Sequence, residues 1–203
     1  MLDNKRMVKY NGESTYSITI AGLKRTLPII GIGEIQIGNG RFRAYIASDS
    51  ELVLGDVEFI STVSRELANL MKEYNPEVIV TPEAKAIALT YGVSRELGLA
   101  RFIVARKSVK TYMGEYTYVK VNSITTKGDQ FLILDSNSMK YIINKNVCLV
   151  DDVASTGNTI NALEELMKIN NAHVVCKAVI WIEGPWISSN DILHLGELPI
   201  FIA

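Results

Sequence analysis

From residue 56 onward, apolar positions change between helical spacing and short continuous runs. The apolar residues between Asp56 and Pro76 recur at helical spacing, which predicts one amphipathic helix that ends at Pro76. Its predicted buried face consists of Val57, Ile60, Val63, Leu67, Leu70 and Met71. The later predicted strands are EVIVTPE, ARFIVARK, FLILD, NVCLVDD and HVVCKAVIWIE, and the later helices are AKAIALTYGVSREL and TINALEELMKIN. Strands that alternate with helices indicate an α/β fold with a mostly parallel, twisted sheet flanked by helices.

Two segments depart from that alternation. Residues 15–54 contain short apolar runs separated by glycine-bearing turns at Gly22 and at 38–40, and this pattern predicts antiparallel strands outside the main sheet. Residues 108–130 are polar and include two glycines. Long irregular segments inside compact domains are typically lids or binding loops, so we expect this one near a functional site.

Composition narrows the class of protein. A chain of 203 residues with 48% hydrophobic residues can bury the core of one domain. Its formal charge of -1 provides no general basic field for nucleic acid, so any anion site must be local. The two cysteines, Cys148 and Cys176, lie in apolar runs and are predicted to be packed, reduced thiols. The first ten residues lack an apolar signal segment, and no run approaches the roughly 18 apolar residues of a membrane span, so we expect a cytoplasmic protein.

The segment VCLVDDVASTGNTI, residues 147–160, carries the most specific chemistry. An apolar strand brings two carboxylates, Asp151 and Asp152, to its carboxyl end, where α/β sheets place their ligand clefts. Small and hydroxyl-bearing residues follow at the start of a helix, where backbone amides and the helix dipole favour an anion. A sugar phosphate has hydroxyls for the acids and a phosphate for the amides. A solvated, capped turn would need no ligand, but it leaves the acid pair unexplained.

Other nucleotide motifs fit the sequence poorly. The chain contains no GxxxxGK[ST] segment. The glycines at GIGEIQ begin like a dinucleotide fingerprint, but Gln36 stands where the third glycine belongs.

The DDVASTGNT segment resembles the phosphoribosyl pyrophosphate signature of type I phosphoribosyltransferases. The residues that match the family pattern are Asp151, Asp152, Thr156, Gly157 and Thr159. The resemblance implies that Asp151 and Asp152 hold the ribose hydroxyls. It also implies that the 5-phosphate is bound by Ser155, Thr156, Gly157, Asn158 and Thr159. The implied fold is the type I phosphoribosyltransferase fold, a mostly parallel sheet flanked by helices with a small β-rich hood.

Two further loops resemble those of adenine phosphoribosyltransferases. Glu83, Ala84, Lys85 and Ala86 take the places of the family's EARG loop, which serves pyrophosphate. Lys85 keeps the charge of the family's arginine without its bidentate fork, and Ala86 replaces a glycine. ARKSVK, residues 105–110, resembles the segment RKPGK before the mobile loop. That likeness implies that Arg106, Lys107 and Lys110 meet pyrophosphate, and Lys107 and Lys110 join the acid pair as predicted catalytic residues.

The resemblance extends to the region around the reacting centre. Residues 111–130 would form a lid that excludes water during transfer, with Glu115 a candidate acceptor of a base proton. Residues 1–56 would be a β-rich hood segment, 57–182 the core, and 183–203 a tail that completes the hood. Leu23, Arg25 and Trp186 are candidate contacts for the base.

The implied activity transfers the 5-phosphoribosyl group from phosphoribosyl pyrophosphate to a purine base, with adenine favoured. Mg²⁺ would be bound mainly through pyrophosphate, which needs no protein metal-ligand cluster. The implied partners are the two substrates and a second copy of the chain in a homodimer, without nucleic acid or membrane. Xanthine and hypoxanthine/guanine remain alternative bases. A regulatory domain that senses phosphoribosyl pyrophosphate without turnover also remains open, although residues 1–56 lack a helix-turn-helix pattern and a basic cluster.

Overall fold

The fold is described by a computed structural model that covers residues 4–121 and 130–203. A single turn of 3-10 helix at Asn4–Arg6 precedes the strands and longer helices. The strands are β1 (Met7–Lys9), β2 (Thr15–Ile20), β3 (Leu23–Ile37), β4 (Gly40–Ala47), β5 (Val78–Pro82), β6 (Phe102–Ala105), β7 (Tyr116–Val121), β8 (Gln130–Asp135), β9 (Asn146–Ala154), β10 (His173–Glu183), β11 (Leu193–Leu198) and β12 (Ile200–Ile202). The helices are α1 (Ser50–Gly55), α2 (Val57–Met71), α3 (Ile87–Glu96), α4 (Ser136–Met139) and α5 (Asn158–Ile169).

The central sheet is parallel and has the strand order β11-β10-β9-β5-β6. In this register Val179 of β10 lies opposite Asp151 of β9, and Val80 of β5 lies opposite Leu149. Because the strands run the same way, their carboxyl ends meet at one edge of the sheet, which is where α/β proteins bind ligands. The predicted α/β fold class is confirmed.

Alternation along β9 assigns the two faces of the sheet. Cys148 and Val150 pack with α2 and α3, whereas Val147 and Leu149 pack with α5 and with β7 and β8. On α2, Phe59, Val63, Leu67 and Met71 are fully buried, as helical spacing requires. The prediction was wrong for Val57 and Leu70, which are 78% and 41% exposed. The Asp56 side chain accepts a hydrogen bond from Phe59 N at 2.9 Å and caps the helix. In the helix that starts there, Phe59 faces the core and Val57 faces solvent.

A second sheet holds the N-terminal strands and the last strand, in the order β1-β12-β4-β3-β2. The pairs β2 with β3 and β3 with β4 are antiparallel, so the predicted antiparallel strands are confirmed. β12 pairs with β4 and with β1, which joins the two ends of the chain in one sheet. The segment after Ser48 departs from the strand pattern and forms α1. The division of the chain into hood, core and tail stays a prediction.

The segment predicted to be irregular, 108–130, contains a strand. β7 pairs antiparallel with β8, and Val119 and Val121 are buried in the core. The prediction was therefore wrong for 116–121, where exposed tyrosines and a lysine alternate with the buried side and make the segment look polar. Residues 122–129 of the predicted lid lie outside the described residues.

The cysteines occupy facing positions on neighbouring strands. Cys148 and Cys176 are register partners on β9 and β10, with Cα atoms 4.6 Å apart, and the structure joins them in a disulfide. The prediction of burial was correct, since the two residues are 0% and 6% exposed. The prediction of separate reduced thiols was wrong. The two cysteines are 28 positions apart in the sequence, and only the pairing of β9 with β10 brings them close enough for a disulfide.

Within the two described ranges, every helix falls short of the length and apolar character that a bilayer span requires.

Candidate active site

The acid pair lies at the carboxyl end of β9. Asp151 and Asp152 are 8% and 6% exposed, and the Asp152 backbone N–H donates to Asp151 Oδ1 at 3.0 Å. Burial, reinforced by repulsion from Asp152, raises the pKa of Asp151 well above its usual range. Two adjacent carboxyls in this setting are well suited to accept hydrogen bonds from the hydroxyls of a ligand.

The turn that follows the acid pair opens a cavity at the amino end of α5. Gly157 occupies the N-cap position with φ of 80°, and Asn161 N donates to its carbonyl at 2.9 Å. The cavity has a volume of about 190 Å³ and is lined by residues 153–160, Val121 and Gln130. All of the predicted phosphate-binding residues are therefore on its wall, where the helix dipole and the N–H groups of the first helical turn favour an anion.

The loop after β5 reaches the acid pair through Lys85. Its Nζ contacts Asp152 Oδ2 and lies 2.9 Å from Oδ1 of Asp49, a residue between β4 and α1. Burial lowers the pKa of Lys85, but attraction to Asp152 and Asp49 outweighs it and leaves the pKa above its usual value. The ammonium is therefore charged at neutral pH and lies between two nearly buried carboxylates.

The same loop also reaches the cationic segment after β6. Glu83, whose peptide bond to Ala84 is cis, accepts a hydrogen bond from Lys107 N at 2.9 Å and pairs with Arg106 Nε at 3.2 Å. The Lys107 N–H contributes most to a lowered pKa of Glu83, and the charges of Arg106 and Lys110 add to it. Lys110 Nζ donates to Ser108 Oγ at 2.7 Å. The carboxyl ends of β5, β6 and β9 are therefore linked by side-chain contacts.

These contacts bring the predicted site residues to one edge of the sheet. Lys107 and Ala84 are exposed there, and Lys110 is partly buried. Glu115, the candidate proton acceptor, is exposed just before β7. The individual roles assigned to the site residues stay predictions.

Two site residues were missed by sequence reasoning. Glu183 ends β10 and is 7% exposed, and the Ser155 hydroxyl donates to it. Burial, with repulsion from Asp49, raises the pKa of Glu183 to about 7. Its signal was present in the sequence, since an acid that ends a buried parallel strand repeats the pattern at Asp151. Asp49 had no such signal, because an aspartate before a helix is typical of an N-cap.

The three candidate base contacts have other partners. Arg25 pairs with Asp56 at 2.8 Å and with Glu58 at 2.6 Å, which ties β3 to the start of α2. Leu23 packs against the core beside α2, and Trp186 packs with the strands of the N-terminal sheet. The structure thus gives each of them a role in the fold.

Comparisons with known proteins agree with this arrangement. The family model described as the phosphoribosyl transferase domain matches residues 57–185. An adenine phosphoribosyltransferase of Corynebacterium glutamicum is 29% identical over 165 residues, which cover 79% of this chain and 82% of the relative. The purine biosynthesis transcriptional repressor PurR of Bacillus subtilis is 29% identical over 122 residues, covering 60% of this chain and 42% of the repressor.

Solved structures support the fold. Adenine phosphoribosyltransferase of Thermoanaerobacter pseudethanolicus has a TM-score of 0.58 at 17% identity and covers 91% of this chain and 95% of that one. APRTase of Giardia lamblia, complexed with 9-deazaadenine, has a TM-score of 0.59 at 16% identity, with coverage of 83% and 93%. The family match spans more than half of the chain, and the chain belongs to the phosphoribosyltransferase family. The predicted family, enzyme class and type I fold are confirmed.

Proposed function

We propose that this chain is a purine phosphoribosyltransferase that transfers the 5-phosphoribosyl group from phosphoribosyl pyrophosphate to adenine. The observation that carries the proposal is the junction of β9 and α5, where a buried acid pair adjoins a cavity lined by residues 153–160. The named activities of relatives such as the C. glutamicum enzyme favour adenine as the base.

The donor would bind across three loops. Its 5-phosphate would lie in the cavity at residues 155–159, and its ribose hydroxyls would donate to Asp151 and Asp152. Lys85, with the cations at 106–110, would face the pyrophosphate. Transfer at the anomeric carbon develops positive charge on the ribose and negative charge on the leaving group, so alignment and charge stabilisation supply the catalysis. A nucleophilic side chain is not needed.

At this site, Mg²⁺ would be bound mainly by oxygens of the donor, and the protein would contribute few ligands. In the parts of the chain that the structure describes, no group of three acidic, histidine or cysteine side chains is arranged to hold a metal ion. Asp152 is already paired with Lys85. Pyrophosphate oxygens and water would therefore supply most ligands, and the ion would neutralise charge on the leaving group.

The remaining features stay part of the proposal. A homodimer and a cytoplasmic location are expected from the family resemblance and the sequence. Of the predicted lid, residues 111–115 precede β7, and Glu115 stays a candidate proton acceptor. A regulatory domain that binds the donor without turnover is the second candidate, because the B. subtilis repressor is similar over 60% of this chain.

A panel of bases tests the proposal. The protein is incubated with Mg²⁺, phosphoribosyl pyrophosphate and one of adenine, hypoxanthine, guanine, xanthine or uracil, and nucleotide and pyrophosphate are quantified. We expect the fastest formation of nucleotide with adenine. Preference for xanthine, hypoxanthine or guanine would replace adenine by the corresponding alternative. Donor binding without product from any base would favour the regulatory function.

A further inference from the structure

The side chain of Asp49 does not perform the function that its position in the fold suggests. Asp49 is the N-cap residue of α1, and its carbonyl accepts from Leu52 N and Val53 N. An aspartate side chain in that position ordinarily accepts from the exposed helix N–H groups. In this chain it makes no cap hydrogen bond, and its Oδ1 lies 2.9 Å from Lys85 Nζ, 36 positions away.

This arrangement is energetically unfavourable for Asp49 itself. Its side chain is 3% exposed, and among the described residues Oδ2 has no hydrogen-bond partner. Burial, with repulsion from Asp152, raises the pKa of Asp49, and Lys85 opposes the shift. A buried carboxylate without full compensation costs stability unless its position serves another purpose.

Lys85 is the group that benefits from this position. Its side chain is 38% exposed, whereas the side chains of Asp49 and Asp152 are 3% and 9% exposed. The ammonium therefore lies at the mouth of the site with one carboxylate on the proposed ribose side and one on the α1 side. A lysine has a flexible four-carbon stem, so a fixed position for its charge requires such partners.

We propose that Asp49 is a positioning residue that holds Lys85 in place for the pyrophosphate of the donor. This inference rests on the proposed donor site. When the ribose hydroxyls bind Asp152, that carboxylate has less capacity left for Lys85, and Asp49 becomes the anchor of the ammonium. Without Asp49, Lys85 pairs with Asp152 alone, and the donor must break that pair before it can bind.

A double-mutant cycle on donor affinity tests the inference. The dissociation constant for phosphoribosyl pyrophosphate with Mg²⁺ is measured by calorimetry for wild type, Asp49→Asn, Lys85→Met and the double variant. We expect Asp49→Asn to weaken binding at least tenfold, which equals about 1.4 kcal/mol. In the Lys85→Met background the same change should matter less than twofold, because its effect passes through Lys85.

A second ligand separates positioning from a structural role. Ribose 5-phosphate lacks the pyrophosphate, so its affinity should change less than threefold in Asp49→Asn. Glu51→Gln, which removes an exposed carboxylate of α1, is the matched control and should bind the donor like wild type. If thermal melting shows that Asp49→Asn unfolds, Asp49→Ser, whose hydroxyl can cap α1, replaces it.

Three results would overturn the inference while the proposed function stands. They are full additivity in the cycle, unchanged donor affinity in Asp49→Asn, and an equal loss for both ligands. A wild-type protein that binds no phosphoribosyl pyrophosphate would overturn the proposed function, and this inference with it.

Discussion

The two loops after β9 and β5 contribute to the site in different ways. After β9, the acid pair, the turn at 155–157 and α5 form one continuous stretch, and the proposed anion-binding groups are its backbone amides. After β5, Glu83 and Lys85 obtain their partners from distant parts of the chain, among them Arg106 and Asp49. The first loop is therefore encoded locally, whereas the electrostatic state of the second depends on how the whole domain folds.

The difference also appears in the protonation of the carboxyls. Burial raises the pKa of Asp151, and of Glu183 to about 7, and the charge of Lys85 offsets these shifts only in part. Around the second loop, hydrogen bonds and cations lower the pKa of Glu83. Burial therefore favours the protonated form of Asp151 and Glu183, whereas the second loop is surrounded by paired charges.

Asp152 is the point where the two loops meet, so Asp152→Asn should have the largest effect. The change removes a charged acceptor for ribose and the partner of Lys85 while keeping the shape of the side chain. We expect kcat/KM to fall at least 100-fold, or about 3 kcal/mol, without a large change in melting temperature. Steady-state kinetics with adenine measures the loss. Asp191→Asn, on an exposed residue, is the control. A near-normal rate for Asp152→Asn would contradict the assignment of Asp152 as the functional link between the two loops.

Lys110→Ala tests the cationic side of the comparison. Lys110 lies close enough to Glu83 to lower its pKa, and we expect it to meet the departing pyrophosphate. Loss of that charge should remove most of the turnover, at least tenfold, and leave the fold intact. Stopped-time assays of pyrophosphate release measure the effect. Lys168→Ala, an exposed cation at the other end of α5, should be silent, and equal rates in both variants would contradict the assignment.

Gly157→Ala tests the backbone-encoded loop. Gly157 and Gly98 have similar backbone angles, with φ of 80° and 69°, so an alanine should cost each about 1 kcal/mol of stability. Of these two sites, Gly98 has no neighbour within 4 Å of a new Cβ, whereas a Cβ at Gly157 would lie in ordinary contact with Ile187 Cδ1, at 3.4 Å. We expect Gly157→Ala to weaken donor binding roughly tenfold and Gly98→Ala to leave it unchanged, as measured by calorimetry. Equal binding by both variants would show that the turn at 157 does not hold the phosphate.

Glu183→Gln should act on stability and its pH dependence. Because the folded protein holds the Glu183 proton up to about pH 7, its free energy of unfolding should fall as pH rises from about 5 to 8. The contribution of this group is roughly 3 kcal/mol at most. Denaturant unfolding at several pH values should show that the free energy of unfolding of the variant increases relative to that of wild type as pH rises. The exposed Glu34→Gln should follow wild type, and so would Glu183→Gln if its carboxyl were already ionised at pH 5.

Much of the fold was predictable because its signals are local. The run from Val147 to Ile160 contains a strand, its acids and a capped helix start in order, and the structure has β9, the turn and α5 there. The helical period after Asp56 likewise predicted α2. Its buried face was mispredicted at Val57, because the side of a helix that faces the core depends on how the helix packs against the rest of the domain.

The features that escaped prediction depend on pairing between distant segments. β7 was hidden because Tyr116 and Tyr118 make its outer face look like a loop. The disulfide requires the register of β9 against β10, and the second sheet requires the pairing of β12 with β1 and β4 across the length of the chain. Asp49 belongs to the same class, since its local sequence describes a cap and only the folded chain brings it to Lys85.

A crystal structure with phosphoribosyl pyrophosphate and Mg²⁺ tests the central claim most directly. We predict that the 5-phosphate lies on the backbone amides of 155–159 and that the ribose hydroxyls donate to Asp151 and Asp152. Electron density for the sugar at another site, with the turn before α5 free of phosphate, would contradict the account.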